Sequence, residues 1–198
     1  MTTPSSPYAG VKPSNWPQIT ASLVKAHPLS SEAIVTAVQD AWNSIMHDSR
    51  IGDLRIGTDI FPQAQSLGIF LHELIPLQIA KRASGWRRGS GKMEKDAVCE
   101  SDRRFDFEIK TSSSGSKVFG NRSYAQPSSG GKERAGYYLT VNFEPWSIAA
   151  GKPAKLTLIR FGYLEHSDWI AQAKDTGQQA RLSSEADAGK FIVLYPPR

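Results

Sequence analysis

The amino-acid sequence predicts an α+β (α/β) fold in which a mixed β-sheet is flanked by helices, with more helices at the N-terminal end. Three observations predict it. Residues 15–82 carry apolar side chains at helical spacing. From residue 96 onward, short segments rich in β-branched and aromatic residues take over. A further helical pattern lies between the last two of them, so the order is helix, strand, strand, loop, strand, strand, helix, strand.

Each element has its own signal. Residues 1–14 read as an irregular arm. "NWPQ" starts a helix with Asn15 as N-cap and a proline in its first turn, and this helix ends before Pro28. Ser30 or Ser31 opens a second helix with Ile34, Val38, Trp42 and Ile45 along one stripe. "SRIGDLRIGTDIFP" is a glycine-punctuated loop with room for short strands. A third helix spans about Gln65 to Arg82. Leu67, Phe70, Leu71, Leu74 and Ile75 form its buried face, and Pro76 is a kink or an early stop. "KDAVC" and "RFDFEIKT" form a hairpin across the turn "ESDR". Residues 136–143, 155–164 and 190–195 are three more strands. "HSDWIAQAKDTGQQARL" is predicted helical, capped by Ser167.

The totals bound the function. The 198 residues suit one domain, 1–198, comprising the arm (1–14), a helical N-terminal part (15–64) and a core (65–198). The single Cys99 excludes an internal disulfide framework and suits a reducing, cytoplasmic location. The opening "MTTPSSPYAG" does not resemble a secretory leader, and the longest apolar run is broken by His72 and Glu73, so no membrane is expected. A net charge of +5 is compatible with a polyanionic partner without requiring one.

The hairpin carries the chemistry. Residues i and i+2 of a strand share a face, so Glu108 and Lys110 project together, with Asp106 beside them. Phe105, Phe107 and Ile109 point the other way, into a core. Asp96, on the preceding strand, falls next to Glu108, and two carboxylates and an ammonium then meet on one exposed patch. Paired carboxylates repel unless a cation lies between them. Mg²⁺ suits such a site because it takes one or two carboxylates, waters and a substrate phosphate, with the Ile109 carbonyl as another oxygen. Lys110 would then orient or help deprotonate an attacking water. The bland alternative is an amphipathic strand with ordinary cross-strand ion pairs.

The polar loop that follows has no acid until Glu133 and carries Lys117, Arg122, Lys132 and Arg134. Lys117, Asn121, Arg122, Ser123, Tyr124 and Gln126 are the candidate DNA contacts, with Arg122 and Gln126 as base readers. Upstream, "KRASGWRRGSGK" holds five basic residues, and Arg87 and Arg88 are candidates for backbone phosphate. Trp86 is either a DNA contact or an anchor. His72 and His166 are not spaced as a metal pair and read as packed or surface residues. Ser112 to Ser114 lack a base, and Cys99 reads as a buried small hydrophobe.

"EKDAVC…FDFEIK" resembles the PD-(D/E)XK nuclease motif, with Asp96, Glu108 and Lys110 at its three positions and Lys95 where the motif has proline. The runs "FLHELIPLQIAKR", "IKTSSS…FGNRSYAQ" and "FGYLEHSDW" are similar to the ScaI-like family of type II restriction endonucleases, over most of the chain. The resemblance implies a restriction-endonuclease-like αβββαβ core. It implies a homodimer that uses Mg²⁺, with Mn²⁺ able to substitute, to cut both strands of double-stranded DNA at a short palindrome. The expected ends are 5′-phosphate and 3′-hydroxyl, and the family's namesake reads AGTACT with a blunt cut. The resemblance also implies a further metal ligand on the helix before the hairpin, with Glu73 as candidate, and a cognate DNA methyltransferase as a functional companion. Two other readings stand beside it: a structure-selective nuclease on the same core, and a non-enzymatic DNA-binding regulator.

Overall fold

The computed structural model describes residues 6–127, 132–174 and 176–196. Its first part is helical. Helix α1 (Trp16–Ala26) follows a single tight turn, and Asn15 precedes it without a side-chain cap bond. Helix α2 (Ser31–Asn43) is capped by Ser30, whose hydroxyl accepts from the Ala33 amide at 3.1 Å. The expected stripe of Ile34, Val38, Trp42 and Ile45 is buried. The glycine-rich loop holds a small ribbon of β1 (Arg50–Ile51) and β2 (Leu54–Arg55).

Helix α3 (Ala64–Arg82) does not stop at Pro76 but continues to Lys81 and Arg82, whose charges suit a helix C-terminus. Its buried stripe is Leu67, Leu71, Ile75 and Ile79. Phe70, expected inside, is 37% exposed, because this helix is apolar on more than one side and packing decides which side is covered. Gly68 is needed for close approach, since a Cβ there would stand 2.7 Å from Thr111 Oγ1.

The strands of the second part follow in order, with one short helix among them. They are β3 (Trp86–Arg88), β4 (Ala97–Cys99), β5 (Phe107–Ser112), β6 (Phe119–Asn121), β7 (Gly136–Glu144), β8 (Lys155–Leu164), β9 (Trp169–Ala171) and β10 (Gln179–Leu182), then α4 (Ser184–Gly189). The final strand is β11 (Phe191–Tyr195). A six-stranded mixed sheet has the order β11-β8-β7-β5-β4-β3, in which only β5 and β7 run parallel. Parallel neighbours need a crossover, so residues 113–135 must leave one end of β5 and return to the start of β7. This is the polar loop singled out in the sequence, and it is not featureless. It contains β6 and a tight turn at Arg122–Ala125. Asn142 anchors its root by donating to the carbonyls of Ser114 and Lys117, and Arg160 does so through the carbonyl of Ser116.

The segment expected as a helix after Ser167 is instead β9 and β10, which join β6 in a second sheet of order β6-β10-β9. The pairing with β6 is non-local, and the alternation of exposed and buried residues along Gln179–Leu182 is that of a strand. Two cores result. One face of the main sheet, with Phe107, Ile109, Leu139 and Val141, packs against α2 and α3. The other face, with Tyr138 and Leu164, packs against Val118, Tyr124, Trp169 and Leu182 of the crossover and the small sheet. Burying each such large apolar side chain contributes roughly 1.5–3 kcal/mol.

Candidate active site

The site lies where β4 and β5 part. Their only shared register is Ala97 opposite Phe107. Beyond it the β5 edge lacks a ladder partner, and the amide of Ile109 is taken by the side chain of Asp96, which accepts through Oδ2 at 2.7 Å. The N–H and C=O of one strand residue leave on the same side. The Ile109 carbonyl therefore faces the same gap as Asp96. The Nδ1 of His72, one turn beyond Gly68 on α3, stands 3.5 Å from the same carboxylate oxygen.

Glu108 and Lys110 project toward the second core. The expected exposed patch is in fact mostly enclosed, with the Glu108 side chain only 6% exposed and that of Lys110 12%. Glu108 Oε1 accepts from Lys110 Nζ at 3.0 Å and from the Tyr124 hydroxyl at 2.5 Å. Lys110 also donates to the Tyr124 oxygen at 2.8 Å, and its ammonium lies 4.3 Å from the centre of that ring. Glu108 Oε2 pairs with Lys132 Nζ at 2.6 Å. Burial alone would raise the Glu108 carboxyl, but Lys110, Lys132 and the Tyr124 hydroxyl overcome it and hold the group at about 2. The phenol of Tyr124 is pushed far up by burial and by the Glu108 charge. Lys95 is half-buried beside the site, where its ammonium donates to the Ala135 carbonyl at 2.7 Å, and desolvation pulls it down to about 8.

Asp106 does not join this group. It is buried at the turn, accepting from the Cys99 amide at 2.8 Å and from Arg103 Nε at 2.7 Å. Glu73 is exposed and ion-paired with Arg88. It lines a cleft of about 350 Å³ together with His72, Asp96, Lys95 and Lys132, so it stands at the rim rather than on Glu108. Arg87 is held by both oxygens of Glu94, at 2.9 and 2.6 Å, which keeps that carboxyl well below the usual range. Trp86 is buried and serves as an anchor.

The candidate DNA contacts divide. Lys117, Asn121, Ser123 and Gln126 are exposed on the crossover. Arg122 is half-buried, with Nη1 donating to the carbonyls of Lys174 and Gly177. Tyr124, expected on the DNA face, is buried with its hydroxyl on Glu108. Sequence reasoning missed Tyr124, Lys132 and His72 as members of this cluster. Only His72 offered a signal, through its place on the helix beside Glu73.

Among the described residues no three His, Cys, Asp or Glu side chains form a ready-made metal cage. Carboxylate and carbonyl oxygens are nonetheless the donor type that a hard divalent ion takes, completing its shell with waters and phosphate oxygens. A metal that prefers thiolate or imidazole ligands finds no such donor set among the described residues.

Comparison with known proteins shows the family. A family model described as the ScaI restriction endonuclease matches residues 6–195. The type II restriction enzyme ScaI of Streptomyces caespitosus is 41% identical over 196 residues, covering 98% of this chain and 86% of that enzyme. No solved structure matches significantly. With a match over nearly its whole length, the chain belongs to the ScaI restriction endonuclease family of type II site-specific deoxyribonucleases.

Proposed function

We propose that this enzyme uses Mg²⁺, or Mn²⁺ in its place, to hydrolyse both strands of double-stranded DNA at a short palindrome, leaving 5′-phosphate and 3′-hydroxyl ends. Type II restriction enzymes generally need a divalent metal. The ion, when bound, supplies Lewis-acid stabilisation of the charge that builds on the phosphoryl oxygens. Asp96, Glu108 and the Ile109 carbonyl would hold it. Glu73, paired with Arg88 at the cleft rim, is assigned only as an outer contributor.

Lys110 does the positioning and charge work. Its ammonium is fixed by Glu108 and Tyr124, so it keeps one geometry relative to the β5 edge. From there it orients the attacking water and offsets charge at the scissile phosphate. The crossover from Lys117 to Gln126 faces DNA, with Arg122 and Gln126 as base readers, while Arg87 and Arg88 serve phosphate. A homodimer would bring two such sites to a two-fold site. The namesake's AGTACT and its blunt cut are the first site to test. The chain is read as one cytoplasmic nuclease domain, accompanied by a separate DNA methyltransferase that shields the host.

One observation supports this most: Asp96 accepts from the amide of the residue that lies between Glu108 and Lys110. The experiment is digestion of plasmid with Mg²⁺ followed by sequencing of the ends. Discrete fragments with one common end sequence support the reading. Random nicking, or cutting that follows branched structure, indicates a structure-selective nuclease. Inert plasmid with metal-independent binding indicates a regulator. A chelator should stop cutting and Mn²⁺ should restore it. Lys110→Ala should abolish cutting while leaving specific binding in place.

A further inference from the structure

Glu108 lies behind another residue. Lys132 lines the cleft that contains Asp96, and Glu108 does not. Lys132 therefore belongs both to the cleft and, with its ammonium 2.6 Å from Glu108 Oε2, to the buried acid. The other oxygen, Oε1, is already shared by Lys110 and Tyr124. Oε2 is itself enclosed, so an ion that reaches it must contend with the Lys132 charge. Lys132 also lines a neighbouring cavity of about 650 Å³ together with Lys95, Asp106 and Tyr137, and Glu108 lines neither space.

We propose that Lys132 is a positioning residue that competes with the divalent ion for Glu108, keeping metal binding weak until DNA offers its ammonium a phosphate. This rests on the reading of Glu108 as a metal-holding carboxylate. Two cations cannot share one carboxylate oxygen at such range without strong repulsion, so each excludes the other. In the DNA-free protein Lys132 adds to Lys110 in compensating the buried carboxylate, with its own charge on Oε2. A DNA phosphate supplies a second anion for the same ammonium and thereby releases Oε2 to the ion. Lys132 lies toward the far end of the crossover that carries the candidate DNA contacts, so one segment would sense DNA and uncover the ligand.

The test is a Mn²⁺ titration of the full-length, DNA-free protein, with free Mn²⁺ counted by electron paramagnetic resonance. Lys132→Gln keeps a hydrogen-bond donor without the charge, and a thermal melt verifies its fold. It should bind Mn²⁺ about tenfold more tightly or better, from the lower range of coupling between close, desolvated charges. Lys132→Arg, which keeps the charge, should match the wild type. Glu108→Gln should remove the binding in either background. If Glu108→Gln removes it but Lys132→Gln binds no tighter than wild type, the competition is overturned while the metal-site reading stands. If Glu108→Gln leaves the affinity unchanged, the metal-site reading itself fails and the competition fails with it.

Discussion

The hydroxyl of Tyr124 donates to Glu108 Oε1 across 2.5 Å, joining the crossover to the strand that carries the acid and the lysine. The same oxygen receives Lys110, and the ring lies under the Lys110 ammonium. Tyr124 thus fixes both side chains at once. Tyr124→Phe keeps the packing against Trp169 and Tyr138 and removes only the hydroxyl. A hydrogen bond to a charged group is worth about 1.5–3 kcal/mol, so cutting should slow by roughly 10- to 150-fold. DNA binding measured without metal should change little. A parallel loss of binding would mean that Tyr124 touches DNA instead.

His27 makes the fold sensitive to acid. It is buried among Trp86, Phe105, Tyr137 and Phe161. The Leu29 amide donates to its Nδ1 at 3.2 Å, so Nε2 carries the proton and donates to the Phe105 carbonyl at 3.1 Å. Burial lowers its pKa below the ordinary 6.5, and the backbone bonds only partly oppose this. Below pH 6.5 the unfolded chain therefore binds a proton that the folded chain resists. Stability from this source is full above that pH and falls as pH drops toward the lowered folded value. His27→Phe should remove this component, so the variant should gain on the wild type in thermal melts between about pH 7 and pH 5.

The Lys190 ammonium is 2% exposed, held by Asp168 at 2.8 Å and Glu165 at 3.0 Å, with the rings of Tyr8 and Trp16 at 4.1 and 4.5 Å. This cluster ties the N-terminal arm and α1 to the far edge of the sheet. Lys190→Met leaves two enclosed carboxylates without their cation and should cost about 3–5 kcal/mol in chemical denaturation. Trp16 fluorescence should shift toward that of an exposed indole. An unchanged midpoint would show that the two carboxylates find other compensation.

Much of this architecture is legible in local pattern. The α2 stripe, the Ser30 cap and strands β5, β7, β8 and β11 each follow from periodicity or β-branched content within a dozen residues. The pairing of Glu108 with Lys110, and the approach of Asp96 to the residue between them, follow from spacing along one hairpin. The elements that local pattern hides depend on distant partners. β10 is a strand because β6, far back in the chain, pairs with it and sets Gly120 opposite Ala180, and β9 then adds to its other edge. Lys132 reaches Glu108 only because β5 and β7 run parallel and force a crossover over that face. No period within a short window encodes either relationship, and Phe70 shows that an apolar residue on an all-round apolar helix can remain outside.

Gly136 has φ +137, and a Cβ there would overlap the Lys95 ammonium. Gly136→Ala should therefore lose stability through backbone strain of order 1–3 kcal/mol, and more through displacement of Lys95 from the Ala135 carbonyl. Adding Lys95→Ala should relieve the clash but not the strain. A double-mutant cycle on denaturant midpoints measures the difference. Simple additivity would mean that the two residues do not meet.

Asp96 serves two functions that one pair of substitutions separates. Its Oδ2 accepts from the Ile109 amide at 2.7 Å, which is structural, and its charge faces the cleft, which is chemical under the proposed mechanism. Asp96→Asn retains a side-chain oxygen for the amide, so the fork between β4 and β5 should survive and the melting temperature should stay near that of the wild type. It lacks the charge to hold a divalent ion, so cutting should fall by at least about 100-fold. Asp96→Ala loses both, leaving the Ile109 amide without an acceptor at a cost of about 1–3 kcal/mol in stability. Cutting should then rank wild type far above Asn and Ala alike, while stability should rank wild type and Asn together above Ala. An Asn variant that cuts as the wild type does would reduce Asp96 to a cap on the strand edge, and the ion would need another ligand.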